Sequence, residues 1–257
     1  MAVQTATQKK IVYPESDGKP MADNTKQLET IVYLYDNLCA LFADREDVFV
    51  AADLLWYPVE GRPDIRTAPD VMVAFGRPKG HRGSYKQWEE AGIAPQVVFE
   101  VLSPGNRPSE LIEKFGFYEK YGVEEYYLYD PDRGILEGWL RSDGHFSPVR
   151  EIEGWVSPRL GVRFTLENGE LVLYRPDGER FVPYVELRRR LEQERLRAEQ
   201  AQREAEQERL RAEQAQREAE QERLRAEQAQ REAEQAKKRA EQLAQRLREM
   251  GIDPEQV

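Results

Sequence analysis

The sequence predicts an α/β domain, a mixed sheet flanked by helices, followed by one long C-terminal helix that is a candidate coiled coil. Three observations carry this. First, Asp70–Phe75 and Gln96–Leu102 are nearly continuous apolar runs, as strands covered on both faces are. Second, the later run leads into a helical stretch and then a β-rich run at Glu125–Tyr129. That strand–helix–strand unit of about 35 residues favours parallel pairing. Third, from Gly134 to Tyr174 the pattern turns to a meander: ILEGWLR, HFSPVRE, VRFTLE and LVLYR, separated by DG, EG and NG turns.

Length and composition bound the rest. At 257 residues the chain suits one domain of ordinary size plus an appendage. Lys and Arg total 38 against 48 Asp and Glu, a net charge of -10, which argues against a protein that coats DNA generally. It leaves room for an enzyme that meets DNA through a local patch. The one cysteine, Cys39, excludes an intrachain disulfide and fits a reducing compartment. It lies in LYDNLCALF and reads as core packing. No apolar run approaches the ~20 residues of a membrane span. The first residues lack the apolar centre of a secretory signal, so a cytoplasmic location is the expectation.

Residues 1–24 are polar, hold two prolines and read as a flexible arm. Asn24 or Thr25 caps a helix over 26–43, whose buried face carries Leu28, Ile31, Val32, Tyr35, Leu38, Cys39 and Phe42. Val48–Trp56 is a β-rich run and a strand candidate. The insert Gly76–Gly92 carries Arg77, Lys79, His81, Arg82 and Lys86 interleaved with Tyr85 and Trp88. It reads either as a solvated loop or as a phosphate-contacting flap. Ser103–Asn106 ends the Glu100 strand. A helix then runs from Pro108 or Ser109 to about Tyr121, where Gly122 supplies a C-cap. The domain so defined spans 25–185.

From Leu187 to Met250 there is no Gly or Pro, and ERLRAEQAQREAEQ occurs three times, at 194–207, 208–221 and 222–235. Its residues are strong helix formers, and Glu199–Arg203 and Glu213–Arg217 have the favourable i,i+4 order. The helix is predicted over 186–250, with Gly251 and Pro254 ending it and 251–257 beyond. Alanines step by seven from Ala198 to Ala240 between Leu191 and Leu247, while Leu196, Leu210 and Leu224 lie on roughly the opposite side. Such a seam buries little apolar area. A weak coiled coil forming a homo-oligomer and a solvated single helix are both open. Residues 186–257 hold 17 basic and 18 acidic side chains, so the tail is no basic DNA arm.

The chemistry sits between Pro69 and Pro131. Asp70 opens one apolar run and Glu100 stands inside the other. A buried carboxylate needs a partner: a cation, a donor or a metal. Acids on neighbouring strands with a lysine close by are the working parts of metal-dependent phosphodiester hydrolysis. APDVMV, VVFEVLSP and the helix bearing Glu110, Lys114 and Tyr118, followed by GVEEYYLYDP, resemble the Uma-type restriction endonuclease family of the PD-(D/E)XK nuclease superfamily. The resemblance covers about Ile31 to Leu173.

It implies a restriction-endonuclease-like fold and a DNA endonuclease using Mg²⁺ or Mn²⁺. Pro69-Asp70 matches the PD, and Glu100-Val101-Leu102 the (D/E)XK, with Leu102 where the lysine should be. Lys114 is the helix-borne substitute. Asp70, Glu100 and the backbone carbonyl of Val101 are then the metal ligands. Lys114 acts on the water or the phosphorane, and Glu110, where the family usually has Asp, holds Lys114 or a second ion. Asp53 is an outside candidate, His81 a weak one, and Tyr118 reads as packing. The alternative is a catalytically inactive module that uses the fold and tail for binding or assembly.

Overall fold

The structure, a computed structural model, describes residues 11–249. The chain forms two compact units divided after Leu187. In the first, α1 (Thr25–Leu41) begins where Asn24 accepts a hydrogen bond from the Gln27 N–H at 2.8 Å, satisfying one orphan donor of the first turn. Ile31, Leu34 and Leu38 recur at helical spacing and are buried, each worth ~1.5–3 kcal/mol against exposure. Leu28 and Val32, expected on that face, are 40% and 41% exposed instead.

The single strand expected over 48–56 is two strands, β1 (Val48–Ala52) and β2 (Trp56–Tyr57). Between them Asp53 takes a left-handed φ of 49°, which turns the chain out of the sheet. Then come β3 (Val71–Phe75), β4 (Tyr85–Lys86) and β5 (Val97–Val101). Next is α2 (Pro108–Tyr121), with a proline in its first turn and Gly122 as a left-handed C-cap at φ 102°. It is followed by β6 (Glu125–Asp130), β7 (Ile135–Ser142) and β8 (His145–Pro148). The hairpin β9 (Arg163–Glu167) and β10 (Glu170–Tyr174) completes the domain.

The main sheet has the order β1-β3-β5-β6-β7-β8. Only β5 and β6, the pair joined by α2, are parallel; every other neighbour is antiparallel. The predicted meander therefore divides. Its first half extends the sheet, and β9–β10 forms a separate two-stranded unit. Period-two alternation sends Val97, Phe99 and Val101 to a core shared with α1 and β9–β10. Val98 joins Met72, Trp56, Tyr85 and Tyr118 on the α2 side. Glu100 has the parity of Val98, so it points toward α2 as well.

The described part of the N-terminal arm lacks regular structure but is held at defined points. Tyr13 lies 5.2 Å from the Tyr57 ring and 5.0 Å from the Trp88 ring, and its hydroxyl accepts from the Gly61 N–H at 2.6 Å. The Tyr57 hydroxyl donates to the Pro14 carbonyl at 2.7 Å, and Ser103 Oγ donates to Asp23 Oδ2 at 2.6 Å. An aromatic anchor and a terminal hydrogen bond thus offset the entropy that the polar composition suggests keeping. Residues 1–10 lie outside the described residues.

The helix α3 (Tyr184–Glu249) is unbroken. Within the second unit Glu199 lies 3.9 Å from Arg203 as expected, whereas Glu213 is 4.0 Å from Arg209. Leu196, Leu210 and Leu224 are 53%, 49% and 54% exposed. No described helix is long and apolar enough to cross a membrane.

Candidate active site

The β3–β5 register builds the site. Val71 pairs with Phe99, so Asp70 falls opposite Glu100 one step further along. The Asp70 side chain takes over the ladder there, and its Oδ2 accepts from the Val101 N–H at 2.6 Å. After β5, Ser103 and Asn106 close a turn, with Ser103 N–H donating to Asn106 Oδ1 at 2.6 Å and Asn106 N–H to the Ser103 carbonyl at 3.1 Å. That turn sends α2 back across the strand it follows.

Lys114 lies on the inward stripe of α2 beside Phe115 and Tyr118. Its Nζ donates to Glu100 Oε2 at 2.7 Å and to the Ala68 carbonyl at 3.2 Å. One turn on, the Tyr118 hydroxyl donates to Glu100 Oε1 at 2.5 Å. Each oxygen of the buried carboxylate thus has its own donor. Burial works against the charge on Lys114, yet Glu100 and Asp70 more than offset it and hold the amine above its ordinary value. Burial, and then the Glu100 charge, push Asp70 well above the usual carboxylate range. Two acids with one lysine leave the site short of positive charge.

Asp70 and Lys114 line a cleft with Gln27, Asp53, Glu110 and Phe117. Asp53 lies at the edge of the cleft with its carboxyl partly desolvated, and its N–H donates to the Pro69 carbonyl at 3.1 Å, which ties it to the Asp70 segment. Its acid is raised by burial first, with Asp17 and Glu100 adding to it and Lys114 opposing. Glu110 lines the same cleft. It accepts from the Arg107 N–H at 3.4 Å, capping α2, and lies 4.0 Å from Lys19 of the arm, while Glu100 holds Lys114. Leu102, at the usual lysine place, donates its N–H to the Tyr129 carbonyl at 2.8 Å.

The carbonyl of Val101 is engaged. Gln27 Nε2 donates to it at 2.8 Å, and Gln27 Oε1 accepts from the Asp23 N–H at 2.8 Å. A carbonyl has two lone pairs, so one remains for another partner. Sequence reasoning missed Gln27 altogether; a polar residue on an otherwise apolar helical face was its one signal. It also missed the Tyr118 hydroxyl, for which the Lys114–Tyr118 spacing of four was a sign.

The basic insert is not a flap of free cations. Glu90 accepts from Arg77 Nε at 2.8 Å and from Arg82 Nε at 2.5 Å. Lys79 donates to the Ala43 carbonyl at 2.5 Å, and Lys86 lies 3.3 Å from Glu89. Its charges are used within the domain, because the insert carries its own acids and packs on β1 and β2. Trp88 meets Tyr13 and His81 is exposed. Cys39 is half-buried and burial pushes its thiol up, away from thiolate chemistry.

Among the described residues, no three His, Cys, Asp or Glu side chains are grouped so as to hold a metal ion. The two strand-borne carboxylates suit a different donor set. Mg²⁺ keeps several waters and takes one or two protein carboxylates, and a cation beside Asp70 would favour the ionised form that burial first, and then the Glu100 charge, disfavour. The residues present therefore fit a hard divalent cation that keeps part of its water shell rather than an all-protein cage.

No curated protein matches the chain. A solved structure described as a "putative nuclease belonging to DUF820", from Anabaena variabilis ATCC 29413, is similar over 55% of this chain and 74% of its own. The identity is 16% and the TM-score 0.38. The family described as Uma2, "Putative restriction endonuclease", matches residues 13–167, which contain every residue of the cleft described above. The mixed sheet, its two strand-borne acids and this match lead to one statement: the chain belongs to the Uma2 family of restriction-endonuclease-like proteins.

Proposed function

We propose that the domain is a divalent-metal-dependent endonuclease that hydrolyses phosphodiester bonds of DNA. The observation that carries this is the joining of Asp70, Glu100 and Lys114 by one strand register and one helix, with Lys114 Nζ 2.7 Å from Glu100. Asp70 and Glu100 would hold Mg²⁺ or Mn²⁺, with the Val101 carbonyl as a third donor through its remaining lone pair. When bound, such an ion supplies Lewis-acid polarisation of a phosphoryl oxygen and a water made acidic enough to attack. Lys114 keeps its proton under the field of two carboxylates and stabilises charge on the phosphorane. Lys19, Arg66 and Arg107 line the same cleft and suit the phosphates to either side.

The test is cleavage of duplex DNA by the purified chain with Mg²⁺ or Mn²⁺. Activity is expected for the wild type and a loss of at least ~100-fold in Glu100→Ala and Lys114→Ala. Three proteins that behave alike across several DNA substrates would refute the reading.

A second reading rests on a specific observation. Both Glu100 oxygens are already engaged within the protein, as suits a domain that has kept the fold and serves as a binding module. No divalent-ion affinity in calorimetry would favour it. The tail serves either reading. Its leucines recur every 14 residues on an exposed helix, and we assign it to self-association as a homo-oligomer through a coiled coil.

A further inference from the structure

Tyr118 does more than packing requires. Its ring is fully buried, parallel to Trp56 at 6.3 Å and against Tyr126 at 5.3 Å. A phenylalanine would fill that space equally well. The hydroxyl, however, donates to Glu100 Oε1 at 2.5 Å, while Lys114 takes Oε2 at 2.7 Å. The two donors stand four residues apart on α2, so one rigid helix face presents both. The Glu100 side chain is 5% exposed and that of Lys114 29%. The two oxygens are thereby sorted. Oε1 is held by a residue closed off from solvent, and Oε2 by one that lines the cleft.

We propose that Tyr118 is a positioning residue: its hydroxyl fixes the rotation of the Glu100 carboxylate so that Oε2 alone is presented to a divalent cation beside Asp70. This rests on the metal-site reading above. Hydrogen bonds that orient a ligating carboxylate are worth about 10–100-fold in affinity or activity elsewhere. Nothing else among the described hydrogen bonds holds Oε1.

The test uses the full chain carrying Tyr118→Phe, which keeps the ring and its stacking. Mn²⁺ binding is measured by calorimetry on wild type and variant, alongside thermal unfolding and steady-state cleavage. The expected result is a folded variant whose Mn²⁺ dissociation constant rises ~10-fold or more, with kcat lowered and KM for DNA unchanged. A merely structural hydroxyl would lower the unfolding temperature and leave ion affinity alone. Mn²⁺ affinity within about twofold of wild type, with kcat unchanged, would therefore overturn the proposal. A wild type that binds no Mn²⁺ overturns the metal-site reading itself, and this inference with it. A wild type that binds, beside a variant that binds equally, sinks this inference alone.

Discussion

Replacing Lys114 by methionine keeps the apolar stem and removes the ammonium. Glu100 then stays with its side chain 5% exposed, Asp70 lies opposite in the register, and only Tyr118 donates to it. Losing one partner of a buried ion pair costs ~3–5 kcal/mol, because the surviving charge keeps its desolvation penalty. Lys114 is 29% exposed, so water screens part of the pair, and the Tyr118 bond remains. We therefore expect Lys114→Met to destabilise the domain by ~2–3 kcal/mol.

Adding Glu100→Gln removes the stranded charge and leaves an amide oxygen for the Tyr118 hydroxyl. The double variant should recover about 1–2 kcal/mol relative to Lys114→Met, since removing both partners of a buried pair costs less than removing one. The assay is equilibrium urea unfolding followed by tryptophan fluorescence. Trp56, Trp88, Trp139 and Trp155 all precede the long helix, so the signal reports the domain alone. A Lys114→Met variant within about 0.5 kcal/mol of wild type would refute the reasoning, as would a double variant no more stable than the single one.

Glu90 gives a second stability test. Burial alone would push its acid up, but hydrogen bonds from Arg82 and Arg77 win and hold it below the usual glutamate range. A carboxylate depressed in the folded state adds stability that is complete above its unfolded pKa and is lost as pH falls through its folded pKa. Glu90→Gln should therefore lower stability by ~2–4 kcal/mol at pH 7, or about 5–10 °C in thermal unfolding, and the gap to wild type should close in acid; a gap that is constant with pH would contradict this. For the tail, sedimentation of the full chain should show a larger assembly than a chain ended at residue 187, where the compact unit closes. Equal association states would remove the self-association reading.

Much of the scaffold was legible because its signals are local. The helix 108–121 was expected at its observed bounds, since a proline in the first turn and Gly122 at a left-handed C-cap act within a few residues of each end. The strands expected over Asp70–Phe75 and Gln96–Leu102 are present as Val71–Phe75 and Val97–Val101, their apolar runs declaring burial on both faces while Asp70 stands just ahead of the first. The break at Asp53 was not legible, because VFVAADLLW is β-rich throughout, while the left-handed turn at Asp53 goes with the stacking of Trp56 on Tyr118 of α2, a partner 62 residues further along. The charge of the Gly76–Gly92 insert left two readings open for a related reason. Composition counts cations and cannot say that Glu90 already holds two of them.

The sequence by itself singled out the candidate side chains: an acid at the head of one apolar strand, an acid inside the next, and a lysine on the helix that follows them. Periodicity and hydrophobic burial act along the chain, so they can be read along it. Only the tertiary structure decided how those groups meet. The antiparallel register set Asp70 opposite Glu100, α2 laid Lys114 and Tyr118 on separate oxygens of one carboxylate, and α1 brought Gln27 to the Val101 carbonyl. Gln27 and Val101 are 74 residues apart. A hydrogen bond over that separation leaves no mark in local pattern, because its partners are joined by the closing of the whole core and not by any preference of their own segments.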